Sequence, residues 1–483
     1  MPTRRLRPPP ATPSAAGAPI DFDRIRRDLG IPEDFPAEVT AEAEAIAAQP
    51  VTAGADRTDR TGRTDLPLVT IDPPGSRDLD QAVHLERRGD GYRVHYAIAD
   101  VGAVVPPGGA IDAESQRRGQ TLYSPDRSTP LHPPALSEGA ASLLPDGDRP
   151  AVLWTIDLDA EGLPVAADVR RVLVSSVARL DYAGVQADLD AGRPHPSIAL
   201  LPEIGALRLA QARARHAITL DIPEVEVVPA GEHWTLELRA PLPVEKFNAE
   251  ISLLTGIVAA GIMLEGGIGL LRTLPPAEPD AVAALRRSAL ALGIDWPADI
   301  EPGDLIARLD PARPQVAAFL EDAVRLLRGA GYTPFRGASP EQPLHAGVGA
   351  SYAHVTAPLR RLVDRYATEI CLALHSGTPV PEWVTAALDE LPTIMRSSDR
   401  LAGDLERACT AAVFVFLLGG RIGEEFTATV VQAEAGSARA TVMLHDPPVR
   451  AQAPADGLVE GSVIRVRLDS VDGEQRRIQV TPV

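Results

Sequence analysis

The spacing of apolar and polar positions predicts a strand-rich region, a helical middle and a strand-rich tail, after an irregular and helical start. Met1–Pro19 is rich in Pro, Ala and Arg and is expected to be disordered. Ile20–Ala48 then carries a helical pattern, with Phe22, Ile25 and Leu29 on one face. Ala55–Asp65 (ADRTDRTGRTD) has no apolar residue beyond its first alanine and reads as a linker. Strand signals follow. Leu66–Asp72 is a short apolar strand, and Tyr92, Val94, Tyr96 and Ile98 alternate after Gly89-Asp90-Gly91, which predicts a hairpin with Ala82–Arg88. Val152–Leu158 and Val169–Val174 read as further strands. The middle is helical, over Pro202–Ala217, Val244–Leu271, Asp280–Leu292 and Pro314–Gly329. In Thr356–Ser376, Leu359, Leu362, Val363, Tyr366, Ile370 and Leu374 form one apolar stripe, with Arg360, Arg361, Asp364 and Arg365 toward the other faces. A last helix is expected over Ala386–Leu418. Short strands return at Phe426–Ala433, Ala438–Leu444, Ser462–Leu468 and Arg477–Thr481, the pattern of a small β-barrel of oligonucleotide-binding (OB) type.

This order over 483 residues predicts an α+β protein of two to four domains. With 45% hydrophobic and 23% charged residues the chain has material for a sizeable core. No apolar run approaches the roughly 20 residues of a membrane span. The start has no apolar signal-peptide core, so the expected location is the cytoplasm. Cys371 and Cys409, far apart, make neither a disulfide framework nor a zinc knuckle. The histidines show no ligand spacing, so any metal is expected to be held by carboxylates. A net charge of −19 argues against a protein that coats nucleic acid, but not against an enzyme with a basic channel. The excess of arginine over lysine accompanies high Ala and Pro and is read as composition bias.

The chemistry concentrates in Thr70–Val83, TIDPPGSRDLDQAV. A strand delivers Asp72, Pro73-Pro74-Gly75 turns the chain, and Asp78 and Asp80, two apart, share a direction if the stretch is extended. Three carboxylates converging from one loop would repel each other. A divalent cation removes that cost, and magnesium prefers oxygen ligands. Two such ions about 3.5–4 Å apart can drive phosphodiester hydrolysis. Asp is also common in turns, so this spacing alone leaves a metal site and an ordinary turn equally open.

TIDPPGSRDLDQA closely resembles the first catalytic motif of the ribonuclease II / ribonuclease R (RNB) family. Further segments, in order, resemble other motifs of that family: Tyr123-Ser124-Pro125, Leu136-Ser137-Glu138 with Ala141–Pro145, Ala178–Tyr182, and Tyr352–Arg361 (YAHVTAPLRR). The resemblance runs from about Leu66 to the C-terminus. It implies an RNB-type catalytic domain, a mixed sheet packed with helices, over residues 66–418. An OB-like RNA-binding domain would follow over 419–483, after a disordered and short helical start with a linker over 1–65. It implies magnesium-dependent 3′-to-5′ hydrolysis of single-stranded RNA. Asp72 and Asp78 would hold or orient magnesium, and Asp80, also counted with the metal residues, would be the essential carboxylate beside the attacking water. Arg360 would bind the scissile phosphate and stabilise the transition state. Tyr123 matches a tyrosine stacked near the RNA 3′ end, Tyr182 a second tyrosine on the RNA path, and Glu245 and Glu406 acidic residues lining the site. Independently of the motif, Arg360 is expected near a helix N-terminus, where amides favour an anion; without the motif it would read as a solvated helix arginine, and each tyrosine as a core aromatic.

The sequence departs from the family pattern at several places. Gln81 stands where the family usually has a fourth acid; its carbonyl can reach a metal without charge, which would weaken one ion. Ala357 replaces the usual serine, Leu362 the usual tyrosine, and Leu220 falls where a second stacking aromatic is expected. Residues 1–65 cannot hold the two cold-shock barrels common in the family. Phe426 is the lone aromatic of the tail barrel, so a short grip on RNA and low processivity are expected. The competing reading is an RNB-fold RNA-binding protein that cleaves weakly or not at all.

Overall fold

The alternating region folds into a mixed sheet that closes on itself. The computed structural model describes residues 20–49, 61–145, 147–220, 224–230, 233–310, 313–433, 437–446, 449–472 and 477–483. Its first strands are β1 (Thr61–Gly62), β2 (Leu68–Asp72), β3 (Gln81–Arg88) and β4 (Gly91–Ala99). A two-stranded ribbon, β5 (Leu122–Tyr123) with β6 (Ser128–Thr129), comes next, then β7 (Asp148–Leu158) and β8 (Pro164–Asp181). The sheet order is β1-β8-β2-β3-β4-β7, and β7 also pairs with β8. The expected hairpin forms, with Gln81 opposite Ile98 and Arg88 opposite Gly91. The parallel β2–β8 pair aligns Asp72 with Asp181. Asp72, the start of β3 and Tyr182 therefore share one edge of the sheet.

Both faces of these strands are covered, so β4 is buried almost throughout rather than alternately. On one face Val69, Val83, Val94, Tyr96, Val152 and Trp154 join a core with the helices Leu201–Ala214, Pro243–Gly266 and Leu362–Ser376. On the other, Leu68, Ala82, Ala97, Leu153, Val172 and Val174 pack with Val39 and Ala43. The helices that matter to the site are α1 (Phe22–Asp28), α2 (Ala37–Ala47), α3 (Ala110–Arg118), α4 (Tyr182–Asp190), α5 (Leu201–Ala214), α6 (Pro243–Gly266), α7 (Leu362–Ser376) and α8 (Leu391–Leu418).

The tail is a closed barrel of Glu425–Gln432, Arg439–Leu444, Arg450–Pro454, Val463–Asp472 and Arg477–Pro482. Its core of Phe426, Val430, Val442, Leu444, Val466 and Val480 is continuous with Phe22 of α1 and Cys409 and Val413 of α8. The N-terminal helix is thus part of the core beneath the barrel.

Several expectations need correction. The helical stretch over Ile20–Ala48 is two helices, α1 and α2, parted at Gly30, which holds φ +67. The helix expected over Val244–Leu271 ends at Gly266, and Ile268–Thr273 is a strand paired with Gly331–Arg336. The barrel has a fifth strand, Arg450–Pro454, and a hairpin at Glu224–Ala230 and His233–Arg239 was not expected. Ala386–Leu418 divides into Glu382–Ala387 and α8. Among the described residues one helix, α6, is long and apolar enough by length and composition to cross a membrane, contrary to the reading of the sequence. Here Ile251, Leu254, Ala259, Ala260 and Met263 of α6 are buried in the core of the fold. The expected disordered start and most of the linker lie outside the described residues.

Candidate active site

The Asp72–Asp80 loop is shaped by its own residues and then braced by distant ones. Ser76 N–H donates to the Pro73 carbonyl at 3.1 Å, and Gly75 takes φ +82, the conformation a Pro-Pro-Gly turn needs at its third position. The braces come from the Leu136–Leu143 segment. Ser142 Oγ accepts the Leu79 N–H at 3.0 Å and donates to the Arg77 carbonyl at 2.6 Å. Leu143 N–H donates to the Leu79 carbonyl at 3.0 Å. Asp78 is thus held between two clamped neighbours. On the far side, the Asp80 carbonyl accepts from Ala99 N–H at 2.9 Å, which starts the β3–β4 register.

The Thr356–Arg361 segment closes over this loop. It was expected to be helical, but α7 begins only at Leu362. The preceding residues instead bond outward. Leu362 N–H donates to the Gly119 carbonyl and Thr121 N–H to the Arg360 carbonyl, each at 3.0 Å. Gly119 has φ +70, and a Cβ there would lie 2.8 Å from Ser398 on α8, so the approach requires glycine. Asp364, fully buried in the first turn of α7, accepts the Ala357 N–H at 2.7 Å and a bidentate pair from Arg361 at 2.9 Å. Arg365 is also buried, held by Asp112 at 2.6 Å. Asp364 and Arg365, which lie off the apolar stripe, are therefore buried all the same. The local signal for Asp364 was its spacing of three from Arg361.

Leu359 N–H donates to Asp80 Oδ1 at 2.7 Å, and Arg360 Nε lies 3.5 Å from Asp80 Oδ2. The Asp80 side chain is 7% exposed, while Arg360 keeps 29% and so borders open solvent. Burial holds the Asp80 carboxyl well above the usual carboxylate range; Arg360 and the Leu359 N–H oppose that, and Asp78 adds to it. Burial likewise raises Asp78, again opposed by Arg360. Burial alone would lower Arg360, yet Tyr123, Asp80 and Asp72 together raise it. Asp72, Asp78, Asp80, Arg360 and Tyr123 thus belong to one electrostatic group.

Tyr123 is placed by long-range contacts. Its strand β5 packs against α8, and Leu122 lies in the same core as Leu405. Arg26, fully buried on α1, donates to Ser124 Oγ at 2.5 Å and bidentately to Asp126 at 2.7 Å. The N-terminal helix therefore fixes the loop that presents Tyr123, a role sequence reasoning missed. Glu406 is half-buried on α8, next to Leu405. Tyr182 opens α4 at the catalytic edge, and its hydroxyl accepts from Asn248 Nδ2 at 3.2 Å. Glu245 serves as a cap: its carboxylate accepts the Leu242 N–H at 3.1 Å and pairs with Arg239. Gln81 has both ends of its amide engaged, by the Thr356 carbonyl and the Tyr96 hydroxyl.

The donor chemistry fits magnesium. Asp72, Asp78 and Asp80 offer oxygen alone, and a dication would reverse the burial cost that holds Asp78 and Asp80 toward their neutral forms. Among the described residues no three His, Cys, Asp or Glu side chains are grouped so that together they could hold a metal ion. Magnesium characteristically takes only one or two carboxylates, with waters and substrate phosphates completing its shell, so an open set is compatible with it.

Residues 60–375 match the model of the RNB domain. The chain belongs to the RNB family. Residues 424–483 match the RNase II-type exonuclease C-terminal S1 domain, the closed barrel described above. Ribonuclease R of Escherichia coli K12 is 30% identical over 366 residues, which cover 72% of this chain and 44% of that protein. The chain thus spans less than half the length of that curated relative. Among solved structures, RNase R of Mycoplasma genitalium in complex with ribose-methylated single-stranded RNA superposes with a TM-score of 0.86 at 20% identity, covering 96% of this chain and 77% of that one. Yeast Ssd1, described as a pseudonuclease, gives a TM-score of 0.69 at 19% identity over 88% of this chain and 53% of that one. These likenesses establish the RNB fold and its S1 barrel.

Proposed function

We propose that this chain is a magnesium-dependent 3′-to-5′ exoribonuclease that hydrolyses single-stranded RNA to nucleoside 5′-monophosphates. The observation that carries this reading is the buried Asp80 carboxylate, fixed by the Leu359 N–H and faced by a part-exposed Arg360. Magnesium held by Asp72, Asp78 and Asp80 would supply positive charge at the scissile phosphate and make a water more acidic. The protein's own groups would do the rest. Arg360 would receive the phosphate on its open side with the guanidinium N–H groups not turned to Asp80, and grip it harder as charge develops. The Leu359 N–H holds Asp80 Oδ1 and leaves Oδ2 to face Arg360 Nε at 3.5 Å. Tyr123 would stack on a terminal base, which suits any sequence because every base has a π face.

A weakly active RNA-binding protein is the second reading, favoured by Gln81 at the usual position of an acid and by the fold shared with a pseudonuclease. Magnesium titration with 5′-labelled oligo(A) separates the two. The exonuclease reading expects a ladder shortening from the 3′ end, slowed by a 3′-phosphate and indifferent to a 5′-phosphate. Binding without shortening would establish the second reading. Cleavage of circular RNA would overturn the need for an end.

A further inference from the structure

We propose that Gln81 is a positioning residue whose amide locks the Thr356–Arg361 loop over Asp80. Its catalytic consequence rests on the exonuclease reading; the lock itself does not. Gln81 Nε2 donates to the Thr356 carbonyl at 2.6 Å, and Gln81 Oε1 accepts from the Tyr96 hydroxyl at 2.5 Å. Ser252 of α6 lies 2.7 Å from the Tyr96 hydroxyl and 3.4 Å from Gln81 Oε1. The orientation of this amide is dictated by its partners. A backbone carbonyl can only accept, so the amide nitrogen must face Thr356 and the amide oxygen must face Tyr96.

Gln81 is half-buried, and the groups its amide meets lie inside the fold. Tyr96 is 1% exposed and Thr356 is 4% exposed. A carbonyl left without its donor in such a place costs more than the bond contributes on average. Besides its bonds to Asp364, which holds the Ala357 N–H and Arg361, the loop is anchored at both ends. Its far end is tied to Gly119 and Thr121, and its near end to Gln81. Between them lie the two groups that meet Asp80, the Leu359 N–H and Arg360. Because Gln81 directly follows Asp80, adjacent residues hold the loop from below and receive its contacts.

A carboxylate at position 81 could not make this bond. It has acceptors alone, and one of them would face the Thr356 carbonyl oxygen. The departure from the usual acid therefore exchanges a charge for a donor. It reassigns position 81 from the metal's surroundings to the architecture of the Arg360 loop.

The test compares the full-length chain with Gln81→Met, Gln81→Glu and Tyr96→Phe. Amide hydrogen exchange over residues 356–361 is read without metal or RNA, with the β3–β4 hairpin as the control for folding. The lock expects Gln81→Met and Gln81→Glu to exchange faster over that loop by roughly 10–100-fold, with the hairpin protected as before. Tyr96→Phe should do the same more weakly. In single-turnover cleavage of 5′-labelled oligo(A) at saturating RNA, Gln81→Glu should slow the reaction by a similar factor without lowering the magnesium requirement. Unchanged exchange over 356–361 in Gln81→Met would overturn the lock. So would a Gln81→Glu variant that cleaves faster and needs less magnesium, since position 81 would then face the ion. A wild-type chain that cleaves nothing would remove the exonuclease reading, while the exchange comparison would still decide the lock.

Discussion

The C-terminal barrel and the Asp80 loop are built by opposite rules. In the barrel, apolar residues face inward on alternate positions, and most pairings join strands close in sequence. Val430, Val442, Leu444 and Val466 are buried, while Arg439, Arg465 and Arg467 point out. At the Asp80 loop the polar groups are inside. Their bonds span 63 residues to Ser142, 275 to Thr356 and 279 to Leu359. Apolar burial is undirected and tolerates change, whereas each buried polar group needs one particular partner. Damage to the barrel should therefore register as lost stability, and damage to the loop as lost chemistry in a chain that still folds.

The largest effect should come from Asp80→Asn. The amide oxygen can still accept the Leu359 N–H, so the fold should persist, but the charge is gone. Turnover should fall by about 10⁴-fold or more, the scale for an essential catalytic carboxylate. RNA affinity measured in chelator should be retained. Appreciable residual turnover would remove Asp80 from the chemistry. Next, Arg360→Lys keeps the charge and loses the guanidinium fork. The saturated single-turnover rate should drop by roughly 10²–10³, with little change in affinity. A normal saturated rate with weaker binding would make Arg360 an ordinary phosphate anchor.

The barrel supplies the counterpart. Leu444 is fully buried, and Leu444→Ala should destabilise by about 2–5 kcal/mol in urea unfolding. The folded fraction should cleave a trinucleotide-length end at the normal saturated rate. A proportionate loss of that rate would show that the barrel and the site are not separable. The smallest effect concerns His132. Burial, helped by Arg365, pushes its imidazole down to about 3. Its neutral form is the one the fold favours, so its contribution is complete above pH 6.5 and declines as pH falls toward 3. By pH 5 the loss should be roughly 2 kcal/mol. His132→Gln should flatten the fall in urea midpoint between pH 7 and 5; an unchanged slope would exclude His132 as its source.

Legibility in the sequence followed the same division. The barrel strands were readable because alternation is local; Arg450–Pro454 escaped since its inward residues, Ala451 and Ala453, are small and give little contrast. Ile268–Leu271 continued the apolar run of α6 and was read as helix; its pairing with Gly331–Arg336 is a long-range fact. Asp72, Asp78, Asp80 and Arg360 were singled out through their motifs. What held them was not visible, since nothing near Arg360 announces Gly119 or Thr121, and nothing near Tyr123 announces Arg26. Gln81 looked like a defect until its partner, the Thr356 carbonyl, came into view. Thr356–Arg361 looked helical because Leu359 and Leu362 fit the stripe, but its backbone is claimed by residues more than two hundred positions earlier.

The separation of Asp80 from Leu359 also sets a schedule during synthesis. At about 5–20 residues per second, a ribosome needs on the order of 15–60 s to travel between them. Throughout that interval the emerging chain carries Asp72, Asp78 and Asp80 without the arginine that faces them. On the exonuclease reading, a growing polypeptide tethered to its own messenger would thus lack the complete site until the second half had been made.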